Sequence, residues 1–457
     1  VNNNIKGDEM EKKNNSIWID SIELPKFKKL ETDIETDILV VGGGIAGILI
    51  AYKLSEEGKK VVVLEKNKIG MGITKNTTAF ITSQQDTLYQ ERLKKDGYYH
   101  TKLYLEANQK AILDYQKLSK TYAFDFEQLS SFLYSTKESK VIEEEAICLQ
   151  NLGIDAKIKE KIDLPFSIVK AVEFPNQAQM NPLKLIACLS KKLDIYENTT
   201  VTKIKKDCVI ANEHMVKANS IIITTHFPFV NRLGLYYAKM YQKRSYVVAI
   251  KTKDKIDGIY TNLDENDFYF RKYQDYLIIG GNDCKSGTSE NHFESIRKFV
   301  EQYYPTASIT NEWSNQDCIS LDDKPYIGQY SGFRKNLYVA TGFNLWGMTQ
   351  AMISANILTD LIMNRDNPYQ ELFNPNRNMF HKQLFMNLGT YLKNVLKPRR
   401  KTCTHLGSAL VWNEEEQTWE CPCHGSRFSE NGEVIDNPTK KELKNSPINQ
   451  TESKRTL

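Results

Sequence analysis

The sequence predicts an α/β domain, a second domain that contains an antiparallel sheet, and a short C-terminal domain rich in cysteine and histidine. The α/β domain is indicated by a glycine-rich turn, residues 42–47, between a continuous apolar strand and a helix. The sheet is indicated by alternating, β-branched segments between residues 246 and 281. The C-terminal domain is indicated by two Cys/His boxes between residues 403 and 426.

Length and composition agree with this organisation. At roughly 150 residues per domain, a chain of 457 residues is expected to hold about three domains. A net charge of +4 does not favour a nucleic-acid-binding protein, which needs a concentrated basic face. The mean hydropathy is −0.50, and the sequence contains no long uncharged apolar stretch, so no membrane span is predicted. The N-terminal residues are polar and lack the apolar core of a signal peptide, so we expect a soluble, cytoplasmic protein.

The first elements form a βαβ unit. Residues 38–41 are continuously apolar, as expected of a strand buried on both faces of a parallel sheet. Residues 48–54 are predicted to be helical, and residues 61–64 form a second buried strand that ends at Glu65. Further strands and helices follow along the chain, and a helical linker spans about residues 380–396. The predicted strands are 201–204, 221–225, 246–250, 268–270, 276–279 and 337–340, and the predicted helical regions are 89–149 and 348–363.

The glycine turn Gly42-x-Gly44-x-x-Gly47 has the spacing of a dinucleotide-binding turn. The first glycine suits the tight turn, the second lets the backbone approach a pyrophosphate, and the third allows close packing of helix and strand. Glu65 follows the next strand and is placed to accept a hydrogen bond from a ribose hydroxyl. Because a carboxylate here disfavours a 2′-phosphate, we expect FAD or NAD rather than NADP; an unrelated glycine turn is the alternative.

Three loops and one strand carry further motifs. They are Gly-Met-Gly-Ile-Thr-Lys-Asn-Thr-Thr-Ala at 70–79, Asp-Asp-Lys-Pro-Tyr-Ile-Gly at 322–328, Gly-Phe-Asn-Leu-Trp-Gly-Met-Thr at 342–349, and the strand that begins at Val201. Together with the glycine turn they resemble the D-amino-acid-oxidase-like FAD-dependent oxidoreductases, the family of glycine, sarcosine and D-amino-acid oxidases. The resemblance covers about residues 33–365 and favours FAD over NAD.

This resemblance implies an α/β FAD-binding Rossmann-type domain with an inserted α+β substrate domain on a mixed sheet. It places loop 70–79 beneath the flavin, loop 342–349 at the flavin ring and Val201 beside the adenine. The residues expected to bind the cofactor are Gly42, Gly44, Ile45, Ala46, Gly47, Glu65, Lys66, Thr77, Thr78, Ala79, Val201, Gly328, Gly342, Trp346, Gly347, Met348 and Thr349.

Two residues are candidates for contact with the substrate, and no catalytic residue is assigned. Tyr269 and Arg271 match the strand from which family members project a substrate-contacting tyrosine or arginine. Arg271 would then clamp a carboxylate; a surface arginine on an exposed sheet face is the alternative. Cys318 does not match the spacing of cysteine-linked flavins, so we expect it to be a buried strand cysteine and the FAD to be held without a covalent bond.

The C-terminal boxes are Cys403-x-His405 and Cys421-x-x-His424, fifteen residues apart. Two cysteines and two histidines suit either tetrahedral zinc or a [2Fe–2S] cluster in which two thiolates hold one iron and two imidazoles the other. The sequences Cys-Thr-His-Leu-Gly and Cys-Pro-Cys-His-Gly-Ser resemble the motifs of Rieske domains, which have a small all-β fold. This resemblance favours the cluster over zinc. Many Rieske domains have a cysteine where Ser408 stands, and its replacement leaves Cys423 without the family's disulfide partner.

The combined resemblance divides the chain into five parts. They are an N-terminal arm (1–32), the FAD-binding domain (33–90, 166–230 and 320–370), the substrate domain (91–165 and 231–319), a helical linker (371–400) and the Rieske domain (401–457).

The combination predicts an oxidoreductase that takes a hydride from an amine or amino-acid-like substrate and passes electrons singly through the cluster. A one-electron acceptor or donor protein is then the expected partner, besides the small-molecule substrate, and neither nucleic acid nor membrane is expected. Two alternatives stay open: a reductase that takes electrons in through the cluster, and a non-catalytic redox sensor.

Overall fold

The structure is a computed structural model that describes residues 13–230, 233–254, 256–264, 268–288, 292–398 and 401–443. The first twelve residues of the predicted arm and the last fourteen of the predicted Rieske domain lie outside the described residues. Among the described residues, no helix has both the length and the apolar character needed to cross a membrane.

The described elements are nine α-helices, two 3₁₀ turns and twenty-one strands. The helices are α1 (Ile45–Glu56), α2 (Leu88–Ser119), α3 (Lys140–Asn151), α4 (Pro182–Ser190), α5 (Tyr236–Lys239), α6 (Phe293–Tyr303), α7 (Gly347–Ile362), α8 (Gln370–Phe373) and α9 (Lys382–Leu396), and the 3₁₀ turns are Ile19–Ser21 and Ile73–Asn76. The strands are β1 (Ile34–Val41), β2 (Val61–Leu64), β3 (Phe80–Ile81), β4 (Glu127–Ser135), β5 (Lys157–Lys159), β6 (Lys170–Gln179), β7 (Asp194–Tyr196), β8 (Val201–Ile204), β9 (Cys208–Ala211), β10 (His214–Ile223), β11 (Met240–Lys251), β12 (Ile259–Asn262), β13 (Tyr269–Tyr273), β14 (Tyr276–Lys285), β15 (Ser308–Ser320), β16 (Tyr326–Gln329), β17 (Leu337–Thr341), β18 (Val411–Asn413), β19 (Thr418–Glu420), β20 (Arg427–Ser429) and β21 (Val434–Asp436).

The first sheet is the predicted Rossmann-type sheet. Its main strands run in the order β16-β17-β10-β1-β2-β7, and all of them except β16 pair in parallel. The side chains of 38–41 are buried: Ile38 and Val40 pack in one core with α1 and α7, and Leu39 and Val41 pack in a second core. Because parallel strands end at one edge, the segments that follow β1, β2, β10 and β17 meet there. That edge is where the cofactor is expected.

The second sheet forms the inserted domain. Its strands run in the order β15-β11-β14-β13-β12-β4-β6-β3, and it is mixed because β12 pairs with β4 in parallel. One face packs against α6 through Tyr246, Val248 and Ile250, while the alternating residues Val247 and Ala249 face the core shared with the first sheet. The substrate face of this sheet therefore lies against the Rossmann-type domain.

One domain boundary differs from the structure. β6 lies within residues 166–230, which we expected in the FAD-binding domain, yet it pairs with β4 in the second sheet. The region 89–149 is mostly helical, as expected, with β4 between α2 and α3. The sheet that a strand joins depends on partners that are distant in sequence, so local patterns did not place β6.

The third sheet is a small meander, β18-β19-β20-β21, in the C-terminal domain. This domain docks on β11 and β15 of the second sheet through buried polar contacts. Arg244 is 1% exposed and pairs with Glu416 and Glu420 of the C-terminal domain, while Gln316 Nε2 donates to the Gly425 carbonyl at 2.8 Å. The predicted fold class is confirmed: an α/β Rossmann-type domain, an inserted mixed-sheet domain and a small all-β domain.

Candidate cofactor and substrate site

The glycine turn has the close approaches that its spacing predicts. Gly42 follows β1 with φ of +115°, and a Cβ built on Gly47 would lie 1.9 Å from the Gly42 carbonyl oxygen. Gly44 is the N-cap of α1, so the N-terminal end of the helix lies at the end of the sheet, where the N–H of Ile45 donates to the Thr74 hydroxyl at 3.0 Å. The turn can therefore bring its backbone and a helix N-terminus against a pyrophosphate.

A cavity of about 480 Å³ opens at this edge of the first sheet. Segments that follow four parallel strands line it, as the topology requires, together with the loop around the 3₁₀ turn Ile73–Asn76. The predicted cofactor residues that line this cavity are Gly42, Gly44, Ile45, Ala46, Glu65, Lys66, Thr77, Val201, Gly342, Gly347 and Met348. We name it the cofactor cavity.

The Glu65 carboxylate is fixed by the backbone of both neighbouring loops. It accepts hydrogen bonds from the N–H of Gly43 at 2.7 Å and of Asn67 at 2.8 Å. Burial raises the pKa of Glu65, and these two N–H groups act in the opposite direction. The carboxylate is thus held at the end of β2, in the position where the sequence predicts an acceptor for a ribose hydroxyl.

Other predicted cofactor residues lie elsewhere. Gly47 packs against the Gly42 carbonyl, and Thr78 and Trp346 line a second, adjoining cavity. Ala79, Gly328 and Thr349 line neither cavity. Thr349 Oγ1 instead donates to the Thr82 carbonyl at 2.9 Å. Thr349 thus ties the start of α7 to the segment that follows β3.

The second cavity, of about 140 Å³, lies over the face of the second sheet, and we name it the substrate cavity. The predicted residue Tyr269 lines it, and burial raises the pKa of Tyr269 above its usual range. Four residues line both cavities and so mark their junction: Thr77, Asn315, Asp317 and Leu345. The sequence analysis missed Asn315 and Asp317, although their alternation on β15 was a signal that both face the same side.

Arg271 does not occupy the position that either prediction gave it. Its side chain is fully buried, lines neither cavity and donates to the carbonyls of Thr78, Ala79 and Met180. Its guanidinium lies 5.2 Å from the ring of Trp18, whose indole N–H donates to the Thr77 carbonyl at 2.7 Å. Arg271 therefore holds the loop expected beneath the flavin, and the geometry argues against a carboxylate clamp and against a surface arginine.

The two Cys/His boxes form loops of matching geometry. The N–H of Cys403 donates to the Ser408 carbonyl, and the N–H of Gly407 donates back to the Cys403 carbonyl. Cys421 makes the same pair of bonds with Ser426 and Gly425. Gly407 and Gly425 both have positive φ, of +77° and +72°, which lets each loop turn back on its cysteine. The two boxes thus present their side chains as an opposed pair.

The side chains of these loops fit a metal cluster. The rings of His405 and His424 lie 5.1 Å apart, and Cys403 and Cys421 are buried beside them. Within the described residues, neither ring nitrogen of His405 has a hydrogen-bond partner although both are buried. Burial, with the neighbouring His424, lowers the pKa of His405 to about 4, which keeps the imidazole neutral and able to bind metal.

Ser408 occupies the place of the disulfide-forming cysteine. Its hydroxyl lies 3.1 Å from the Sγ of Cys421, one of the predicted ligands. Cys423 is buried and unbridged, as are Cys403 and Cys421 in this domain. The loops are therefore held by backbone hydrogen bonds and packing rather than by a disulfide.

The C-terminal domain also forms a wall of the cofactor cavity, which the sequence analysis did not predict. Val434–Asp436, Asn437 and Thr439 to Lys441 line it, opposite the glycine turn. Asn437 Nδ2 donates to the carbonyl of Phe227 at 2.8 Å, and the ring of Phe227 lies 6.2 Å from that of His424. His226, which precedes Phe227, lines the same cavity. The cavity and the predicted cluster site are thus joined by one short segment.

Comparison with known proteins identifies the two parts of the chain. The model of the FAD-dependent oxidoreductase family (DAO) matches residues 37–361, more than half of the chain. The chain belongs to this family. The model of the Rieske [2Fe-2S] domain matches residues 380–447. The two matches indicate FAD and a [2Fe–2S] cluster as cofactors, which decides between the cluster and zinc.

Among curated proteins, the chain is 34% identical to YhfW of Bacillus subtilis (strain 168), described as a Rieske 2Fe-2S iron-sulfur protein; the match covers 93% of this chain and 96% of that protein. The Rieske part alone is 49% identical over 41 residues to a cytochrome b6-f complex iron-sulfur subunit of Synechococcus sp. (strain JA-3-3Ab), covering 9% of this chain and 24% of that protein.

Solved structures show the same fold at low identity. Glycine oxidase from Geobacillus kaustophilus superposes with a TM-score of 0.65 at 16% identity, covering 75% of this chain and 99% of that chain. L-proline dehydrogenase from P. horikoshii superposes with a TM-score of 0.64 at 17% identity, and the match covers 76% of this chain and 98% of that chain.

The FAD is expected to leave the protein on acid precipitation, because Cys318, the residue considered for a covalent link, lies away from the cofactor cavity. Cys318 is 1% exposed, packs in the apolar core with Met240 and Tyr326, and does not line the cofactor cavity. Precipitating the yellow holoprotein with acid and recording the absorbance of the supernatant checks this. Colour that stays with the pellet would contradict it.

Proposed function

We propose that the chain oxidises an amine or amino-acid-like substrate by hydride transfer to FAD, and that the electrons leave singly through the Rieske cluster. When bound, FAD accepts an electron pair from carbon and a [2Fe–2S] cluster carries one electron at a time. The protein's own residues then have three tasks: to hold the cofactor, to seat the substrate, and to keep the two redox sites close.

The observation that carries this proposal is the shared wall between the two sites. Most residues between 434 and 441 of the C-terminal domain line the cofactor cavity. The predicted cluster ligand His424 packs on Phe227, and His226, next to Phe227 in sequence, also lines the cavity. A sensor domain that only docks on the surface would not need to line the cavity. The arrangement supports direct exchange of electrons between the two sites.

Two features hold this connection in place. His226 has φ of +61°, an uncommon backbone conformation for a residue other than glycine, and its carbonyl accepts a hydrogen bond from the Thr341 hydroxyl. Gln242 Nε2 donates to the His424 carbonyl at 2.6 Å, which ties the cluster loop to β11. Segment 226–227 is thus fixed from the first sheet, and the cluster loop from the second.

Anaerobic reduction tests the proposal. The holoprotein is mixed without oxygen with amines and amino acids, flavin bleaching is followed by absorbance, and reduction of the cluster is followed by EPR. We expect flavin bleaching first and the EPR signal of the reduced cluster after it, in the same sample.

The order of events separates the proposal from its alternatives. Reduction of the cluster by a ferredoxin before the flavin, with no bleaching by any amine or amino acid, would favour a reductase. Bleaching without any cluster signal would contradict exit through the cluster.

A further inference from the structure

Carboxyl side chains outnumber basic ones in the described lining of the substrate cavity. Its lining includes the carboxyl side chains of Asp86, Asp283 and Asp317 and a single basic side chain, Lys243. Among the described residues that line it there is no arginine. A guanidinium would bind a carboxylate through two parallel hydrogen bonds, so the lining lacks the group best suited to an amino-acid carboxylate.

Asp317 lies where the substrate cavity meets the cofactor cavity. It is 6% exposed, and Asn315 Nδ2 donates to its Oδ2 at 2.6 Å. Burial raises the pKa of Asp317 to about 7, so the carboxylate is ionised above neutral pH at a cost in desolvation. A buried carboxylate in a cavity is a natural counter-ion for a cation.

Asn315 supplies a second acceptor at the same junction. Because its amide nitrogen donates to Asp317, its Oδ1 must be the remaining polar atom. That oxygen is buried and has no hydrogen-bond partner within the described part of the chain. A buried acceptor without a donor raises the free energy of the folded protein, so a ligand that donates an N–H group to this oxygen would be bound favourably.

Lys243 is the one basic side chain in the described lining of this cavity. It stands directly opposite Asp317 in the pairing of β11 with β15, so the two opposite charges belong to neighbouring side chains. The lining thus offers a substrate carboxylate one ammonium group and no guanidinium, beside three carboxyl groups.

We propose that the substrate cavity selects a small aliphatic amine that carries no carboxylate, and that the Asp317 carboxylate and Asn315 Oδ1 bind its cationic nitrogen. This inference rests on the proposed function and narrows its substrate class. The cavity of about 140 Å³ limits the amine to a few non-hydrogen atoms beyond the nitrogen.

Matched pairs that differ only by a carboxylate test the proposal. Pyrrolidine is compared with proline, dimethylamine with sarcosine, and putrescine with ornithine, by anaerobic bleaching of the flavin in the holoprotein above neutral pH. We expect the carboxylate-free member of at least one pair to bleach the flavin at a concentration about tenfold lower than its partner, as expected for one charge-assisted hydrogen bond. Preference for the carboxylate in every reactive pair would overturn the proposal and leave the proposed function standing.

Two variants test whether Asp317 and Lys243 determine the preference for amines. Asp317→Asn keeps the shape of the side chain and removes its charge, and we expect the half-saturating amine concentration to rise about tenfold or more. Lys243→Met removes the like charge, and we expect that concentration to fall. If Lys243→Met weakens binding and Asp317→Asn does not, Lys243 is a carboxylate site and the proposal is wrong. Asn315→Leu, which removes the second acceptor, serves in place of Asp317→Asn if that variant does not fold.

A binding measurement separates the two proposals. The shift of thermal unfolding temperature that each amine produces in the holoprotein is recorded for the parent and for Asp317→Asn. If no pair bleaches the flavin, the proposed function fails; a shift in the parent that Asp317→Asn loses still supports the amine site, and an equal shift, or none in either protein, overturns it.

Discussion

Gly47→Ala is expected to yield a protein that is purified without FAD. The new Cβ would lie 1.9 Å from the Gly42 carbonyl oxygen and 2.8 Å from Thr224 Oγ1, so α1 and the turn after β1 would have to separate. Overpacking of this kind costs about 1–3 kcal/mol. Loss of a ligand present at about 100 times its Kd removes a further stabilisation of about 2.7 kcal/mol. The variant should therefore lack the flavin absorbance and should unfold at a lower temperature.

Gly332→Ala is the control. Gly332 lines neither cavity, and a Cβ built there meets nothing within 4 Å. The control should keep its FAD and the parent's unfolding temperature. The ratio of flavin to protein absorbance and thermal unfolding with and without added FAD decide the result. Parent-like FAD content in Gly47→Ala would show that the turn does not approach the cofactor as its geometry indicates.

His405→Ala is expected to abolish turnover with a one-electron acceptor while leaving flavin bleaching by the substrate intact. Within the described residues both ring nitrogens of His405 are buried without a hydrogen-bond partner, and the ring lies 5.1 Å from that of His424. We therefore expect the variant to lose one of the two predicted imidazole ligands of one iron. Turnover should fall to background, because the electrons lose their exit, whereas slow reoxidation by oxygen should persist.

Cys423→Ser is the control, because Cys423 lies in the second ligand loop, next to His424, but is not a predicted ligand. It should retain the EPR signal of the cluster and most of the turnover, whereas His405→Ala should lose both. Turnover of His405→Ala at the parent rate would show that the electrons leave by another route. Loss of the EPR signal in Cys423→Ser would instead show that the ligands have been assigned to the wrong cysteine.

Local patterns predicted the parts of the site that depend on neighbours in sequence. The turn at Gly42, the strand before it and the helix after it are set by the size of glycine and by continuous apolar residues, and all three lie where expected. The ligand loops at Cys403 and Cys421 are equally local, since each is closed by hydrogen bonds within six residues.

Long-range packing determines the positions of the other residues of the site. Tyr269 and Arg271 lie on one face of β13, as their spacing requires, but only the tertiary structure shows that Tyr269 reaches a cavity and Arg271 is covered by Trp18. Asp317 comes to the junction of two cavities through pairing with a strand about seventy residues earlier. No local signal reports such a juxtaposition.

The buried contact between Arg244 and Glu420 has a kinetic consequence. Each side chain is 1% exposed, so mobile ions cannot screen this pair as they screen charges on the surface. Two separate proteins that meet through charged surfaces exchange electrons at a rate that depends on their concentrations and on ionic strength. In the proposed route the donor and acceptor domains belong to one chain and are already joined, so we expect their exchange to be first order and insensitive to added salt.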